Sequence, residues 1–66
     1  MRFKVENMHC GGCAKGVTAT VKDADPSAEV QVYLDTREIV VNGGHAESET
    51  LRVTLQAAGW KVTTAA

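Results

Sequence analysis

The spacing of apolar residues alternates between the period of a strand and that of a helix along these 66 residues, and this order constrains the fold most. Residues 2–6 alternate, with Phe3 and Val5 on one face, which is typical of a strand buried on one side. A diglycine then interrupts the alternation and predicts a loop over residues 7–12. The chain is therefore expected to begin with a strand that leads into a glycine-containing loop.

A helix of about three turns is predicted to start at Cys13. Its apolar positions Ala14, Val17 and Val21 recur at helical spacing, which places them on one side of the helix. Pro26 disfavours helical geometry in the residue before it, so the helix should end there.

The second half of the chain follows with a hairpin, a helix and a strand. Alternating apolar residues predict strands over 30–34 and 39–41, which are close enough in sequence to pair as a hairpin. A helix is predicted over 48–58, with Gly59 ending it in a left-handed turn, and a final strand over 60–64. The inward positions of the second helix would be Leu51, Leu55 and Ala58.

The order strand, helix, strand, strand, helix, strand predicts an α+β fold, the ferredoxin-like βαββαβ sandwich. Its four strands form an antiparallel sheet, and both helices cover one face because each helix has a single apolar stripe. The chain is short enough that residues 1–66 are expected to form one domain. The other face of the sheet should be solvated by Arg2, Lys4, Glu6, Gln31, Tyr33, Lys61 and Thr63.

Composition excludes several classes of function. Seven Lys and Arg against eight Asp and Glu leave no basic excess for nucleic acid. A hydrophobic content of 44% is too high for a disordered chain, and no apolar run is long enough for direct membrane insertion. The first residues lack the apolar core of a secretory signal, so a reducing cytoplasm is the expected location. A chain of this length also has little room for an enzyme cleft, and we expect no enzymatic activity.

The segment from Met8 to Cys13 carries the chemistry, because Cys10 and Cys13 form a Cys-x-x-Cys pair before the first helix. A helix N-terminus lowers the pKa of a thiol towards the thiolate that binds metals. Two thiolates and little else suit a soft, low-coordinate ion, and Cu(I) fits best. Zn(II) usually takes four ligands, and His45, expected in an exposed turn, lies far from the pair in sequence.

Other chemistries remain open for the same two cysteines. Hg(II) also accepts two thiolates, and Zn(II) or Cd(II) would be bound if further ligands joined. A redox dithiol is the other alternative, since thioredoxin-like enzymes place Cys-x-x-Cys at a helix start. Those enzymes need a larger fold, and Pro26, the one proline here, sits where the first helix should end.

The motif Met8-x-Cys10-x-x-Cys13, placed between the first strand and the first helix, resembles the heavy-metal-associated domain of copper chaperones and metal-transporting P-type ATPases. The resemblance extends over essentially the whole chain. It implies that Cys10 and Cys13 are the metal ligands, that Met8 packs in the core beneath the loop, and that Trp60 lies near the metal. Bacterial members commonly carry Tyr where Trp60 stands, so this chain lacks the phenol hydroxyl. The commonest residue of the family at the position of His9 is Thr, although some members carry His.

The remaining candidate residues surround this pair. Gly11 and Gly12 are expected to let the loop wrap around the ion, and His9 is a candidate third ligand, above all for Zn(II). Lys15 and Lys22, on the exposed side of the first helix, are candidates for docking an acidic partner. The resemblance implies a metal-transporting ATPase or a metal-responsive regulator as partner. A free chaperone and an ATPase module remain alternatives, as do a monomer and a metal-bridged dimer.

Overall fold

A computed structural model describes residues 1–65, which form four strands and two helices. The first half of the chain contains β1, α1 and β2, and the second half contains β3, α2 and β4. Their bounds are Arg2–Val5 for β1, Gly11–Ala24 for α1, Glu29–Tyr33 for β2, Glu38–Asn42 for β3, Ser48–Ala57 for α2 and Val62–Ala65 for β4.

The strands form one antiparallel sheet in the order β2-β3-β1-β4, and the two helices pack against it. The ferredoxin-like α+β fold predicted from the sequence is confirmed. Alternation along β1 buries Phe3 and Val5 in a core to which both helices contribute. None of the helices in residues 1–65 has both the length and the apolar character needed to cross a membrane.

The first helix begins two residues earlier than predicted, at Gly11 instead of Cys13. Cys10 is the N-cap residue, with extended backbone angles, and its carbonyl accepts the first helical hydrogen bond from the Ala14 N–H at 3.0 Å. The diglycine therefore forms the first turn of the helix and is not loop, although its sequence suggested one. The consequence is that Cys13 stands inside the first helical turn.

The end of α2 differs from the prediction in one respect. Ala58 is exposed because the helix ends at Ala57 and Ala58 forms its cap, so it does not extend the inward stripe. Gly59 has a φ of 100°, which confirms the left-handed turn expected there. Trp60 precedes β4 instead of starting it, and lies at the corner between α2 and the strand.

Asp25 joins the end of α1 to the β3–α2 loop, and no sequence pattern indicated this role. The residue is 5% exposed, and one carboxylate oxygen accepts hydrogen bonds from the N–H groups of His45 at 2.5 Å and Ala46 at 2.8 Å. Gly44 makes this approach possible, since a Cβ there would collide with the Asp25 carboxylate. The carboxylate therefore ties the end of α1 to the β3–α2 loop.

Replacing Asp25 by Asn is expected to lower the melting temperature at pH 6 by about 5 °C, because charge-assisted hydrogen bonds become neutral ones. The bond from the Ala46 N–H is the main reason that the pKa of Asp25 lies below its usual value. The stabilisation is therefore complete above the unfolded-state pKa of about 4 and disappears as pH falls through the folded-state value. Circular dichroism melts at pH 6 and pH 3 should show the difference from wild type shrinking at pH 3. An equal difference at both pH values would contradict this role for the charge.

Candidate metal centre

Three connections of the fold meet at the end of the sheet where β1 finishes. The N–H of Val5 donates to the carbonyl of Arg37, in the β2–β3 turn, at 2.7 Å. The N–H of Glu6 donates to the carbonyl of Lys61, just before β4, at 2.9 Å. The end of β1 and the start of the β1–α1 loop, which leads to the cysteine motif, are therefore bonded to two other parts of the chain.

Met8 marks the point at which this loop turns from the core to the surface. Its N–H donates to the carbonyl of Val5 at 3.2 Å, and its side chain is fully buried. His9 and Cys10, the next two residues, are exposed. The buried thioether lies within the apolar core that supports the loop, whereas the thiols lie at the surface.

Cys10 and Cys13 bring their sulfur atoms together at the start of α1. The two Sγ atoms are 3.5 Å apart, and both cysteines are free. Cys10 is exposed as the N-cap residue, while Cys13 is half-buried and packs against the core. Residues 1–65 form no pocket, and the exposure of Cys10 leaves the pair accessible from solvent.

The helix start stabilises negative charge on the more exposed thiol. The backbone N–H of Cys13, the Cys13 side chain and the backbone N–H of Gly12 all lower the pKa of Cys10. These groups favour the thiolate because N–H groups at a helix N-terminus have no partner within the helix and point towards the cap residue. The site thus supplies a nucleophilic sulfur that is suited to binding a soft cation.

Gly11 and Gly12 do not form a loop that wraps around the ion, as the sequence suggested. They matter for their small size and not for an unusual backbone geometry. Both lie within α1. A Cβ on Gly11 would contact nothing within 4 Å, and one on Gly12 would lie 3.8 Å from the Sγ of Cys10. No side chain at these two positions covers the exposed thiol, which leaves space for an approaching molecule.

Trp60 lies against the first helix through a contact that the sequence analysis missed. The ring packs so closely on Gly16 that a Cβ there would lie 3.0 Å from its Cζ2 atom. Gly16 stands one turn after Cys13, and both Cys13 and Trp60 pack against the core. A lone glycine inside a helical pattern was the available signal, since such a residue often marks a close approach.

Asn7 is a second residue whose structural role the sequence patterns did not indicate. Its side-chain amide bonds the backbone on both sides of Trp60, donating to the Gly59 carbonyl at 3.1 Å and accepting from the Lys61 N–H at 2.9 Å. These bonds join residues 52 and 54 positions apart, so no local pattern could have indicated them.

The other candidates lie at the surface at different distances from the cysteines. His9 is exposed beside Cys10, and residues 1–65 contain no group of three or more His, Cys, Asp or Glu side chains placed to share an ion. Lys15 is exposed in the second turn of α1, whereas Lys22 is exposed in its last turn. A separation of seven residues is about 10 Å along a helix, so Lys22 lies further than Lys15 from the end of α1 that carries the cysteine pair.

Comparison with known proteins places this arrangement among metal-binding domains. The chain is similar to the copper chaperone Atx1 from Synechocystis PCC6803, with 30% identity, coverage of 96% of this chain and 98% of that one, and a TM-score of 0.89. It is also similar to a gold binding protein, with 34% identity, 94% coverage of both chains and a TM-score of 0.88. The N-terminal domain of ZntA in its Zn(II) form shows 29% identity, coverage of 94% and 85%, and a TM-score of 0.80.

A search among curated proteins found no match. Residues 2–61 match the heavy-metal-associated domain family, which is nearly the whole chain. This range includes both cysteines, the Gly16–Trp60 contact and all elements except β4. The chain belongs to the heavy-metal-associated domain family.

Proposed function

We propose that this chain is a Cu(I) carrier that binds the ion through the thiolates of Cys10 and Cys13 and passes it to a partner by ligand exchange. The observation that carries the proposal is the pair of free sulfur atoms 3.5 Å apart at an open helix start. Two thiolates suit the low coordination number of Cu(I), whereas a closed zinc site needs four ligands. The similarity to a copper chaperone supports the same choice.

Transfer requires that the ion be reachable while it is bound. A thiolate of the partner adds to the ion and forms a third Cu–S bond, after which the bond to one donor cysteine breaks. The second thiolate of the partner then binds the ion, and the bond to the other donor cysteine breaks. The ion remains Cu(I) and every sulfur remains a thiolate, so no oxidant or reductant takes part. The exposure of Cys10 supports this route, because the partner sulfur can approach without unfolding the loop.

The partner we propose is a metal-transporting ATPase or a metal-responsive regulator that presents its own cysteine pair. Lys15, which is exposed in the second turn of α1, would favour an acidic docking surface by accelerating the encounter. Thiolate chemistry of this kind requires a reducing compartment, and we propose the cytoplasm. His9 is proposed as an additional ligand only for an ion that accepts nitrogen, such as Zn(II).

Self-exchange offers a direct test of transfer. Cu(I)-loaded chain is mixed anaerobically with isotopically labelled metal-free chain, and the labelled Cu(I) form is followed by mass spectrometry under native conditions. We expect the exchange rate to rise in proportion to the concentration of the metal-free acceptor, because the acceptor thiolate enters before the donor thiolates leave.

The matched control is an acceptor in which Cys10 and Cys13 are both replaced by Ser, which should leave the ion on the donor. A rate that does not depend on acceptor concentration would mean that the ion dissociates before it is captured. That result would exclude the ligand-exchange route.

A second candidate function is a metal-binding module of a larger transport ATPase, with Zn(II), Cd(II) or Hg(II) as alternative ions. The similarity to the N-terminal domain of ZntA in its Zn(II) form favours it. A reading frame that continues beyond residue 66 into membrane-spanning segments would support the module, whereas a stop codon there would favour the free carrier.

A further inference from the structure

We propose that Asn7 is a positioning residue for the metal loop, because its side-chain amide holds Trp60 against α1 and thereby fixes Cys13 relative to Cys10. The proposal deepens the proposed function and rests on it for the identity of the ion. The role of Asn7 in placing the two thiols can be measured without metal.

The amide continues the pairing of β1 with β4 beyond the end of the sheet. The last backbone bond between these two segments runs from the Glu6 N–H to the Lys61 carbonyl. One residue later, the Asn7 side chain accepts from the Lys61 N–H at 2.9 Å and donates to the Gly59 carbonyl at 3.1 Å. The loop is therefore fastened to the α2–β4 corner just before it turns towards the thiols.

Both bonds require the chemistry of a carboxamide. Asn carries an acceptor and a donor on one planar group, so it can bond a carbonyl and an N–H at the same time. An Asp in this place would keep the acceptor for Lys61 but would set a carboxylate oxygen against the Gly59 carbonyl. An Ala would leave both backbone groups to water.

Trp60 connects the α2–β4 corner to α1. Its backbone is held on one side by Asn7 and on the other by the bond from its own N–H to the Leu55 carbonyl at 3.1 Å. Its ring packs on Gly16, one turn beyond Cys13. Asn7 therefore fixes both segments that carry the thiols, the incoming one directly and the helix through Trp60.

Removing the Asn7 amide is expected to change the relative reactivity of the two cysteines and not only the stability of the fold. Without the two hydrogen bonds of Asn7, the α2–β4 corner can move away from α1. The half-buried Cys13 should then become more reactive relative to the already exposed Cys10. Groups that orient metal ligands typically change metal affinity by 10-fold to 100-fold when they are removed. We expect the lower end, about 10-fold for Cu(I), because Asn7 acts through another residue.

The experiment compares Asn7→Ala, the nearly isosteric Asn7→Asp and the matched control Asn42→Ala, which lies exposed at the far end of β3. Three properties are measured on folded protein. They are the emission of Trp60, the single tryptophan of the chain, the ratio of alkylation rates of Cys13 and Cys10 without metal, and Cu(I) affinity against a competing chelator.

Both Asn7 variants should shift Trp60 emission to longer wavelength, raise the alkylation ratio several-fold and weaken Cu(I) binding about 10-fold. Asn42→Ala should change none of these. Unchanged emission, or altered emission with an unchanged alkylation ratio or Cu(I) affinity, would reduce Asn7 to a structural residue and overturn the proposal. If the wild-type chain itself takes up no Cu(I), the proposed function fails, and the alkylation ratio alone decides the role of Asn7.

Discussion

Replacing either Cys10 or Cys13 by Ser is expected to weaken Cu(I) binding by at least about 100-fold. A four-ligand zinc site contributes about 10 to 16 kcal/mol, which is about 3 kcal/mol for each ligand, and this corresponds to about 100-fold in affinity. The loss should be at least as large here because the site has two thiolates and each one carries half of the coordination. Anaerobic titration against a competing Cu(I) chelator measures it.

The control variant for this prediction is His9→Ala, which removes the exposed neighbour of Cys10 and leaves both thiols. We expect its Cu(I) affinity to stay close to that of the wild type. The metal-free Cys10→Ser variant should also melt close to the wild type, since Cys10 is exposed. Wild-type affinity in either cysteine variant would exclude a two-thiolate site, and a loss in His9→Ala as large as in the cysteine variants would make His9 a ligand.

Replacing Met8 by Ala should destabilise the fold by about 3 kcal/mol, since truncation of a buried large side chain typically costs about 2 to 5 kcal/mol. Met8 is fully buried and belongs to the apolar core, so the change leaves a cavity beneath the metal loop. A domain of this size has a total stability of about 5 kcal/mol at the low end of the usual range, so the effect is large. Urea unfolding followed by circular dichroism measures it.

Met8→Leu separates packing from metal binding, because Leu has a similar volume and no sulfur. We expect this variant to lose less than about 1.5 kcal/mol and to keep the Cu(I) affinity of the wild type. A large loss of affinity in a stable Met8→Leu protein would show that the thioether binds the ion. The contrast between the two substitutions therefore tests the role of Met8 independently of the cysteines.

Much of the fold could be predicted because each element has a regular apolar period. Phe3 and Val5 alternate along β1, and Val17 and Val21 recur along α1, so the faces that meet in the core follow from spacing alone. The start of α1 could not be predicted in this way. Glycine fits both a loop and a helix, and the choice depends on Cys10 serving as the N-cap residue.

The cysteine pair was evident from the sequence because its two residues are neighbours along the chain. The residues that support it were not, because their partners lie far away in sequence. Asn7 bonds the backbone around Trp60, and Asp25 bonds the backbone of His45 and Ala46. A polar side chain that bonds distant backbone leaves no periodic pattern, so only the folded chain reveals it.

X-ray absorption at the copper edge of the Cu(I)-loaded protein addresses the two-thiolate site most directly. It measures the number and the type of atoms bound to the ion without any substitution in the chain. We expect two sulfur neighbours, from Cys10 and Cys13, and no nitrogen. A nitrogen neighbour, or a single sulfur neighbour, would contradict Cu(I) binding by these two thiolates alone.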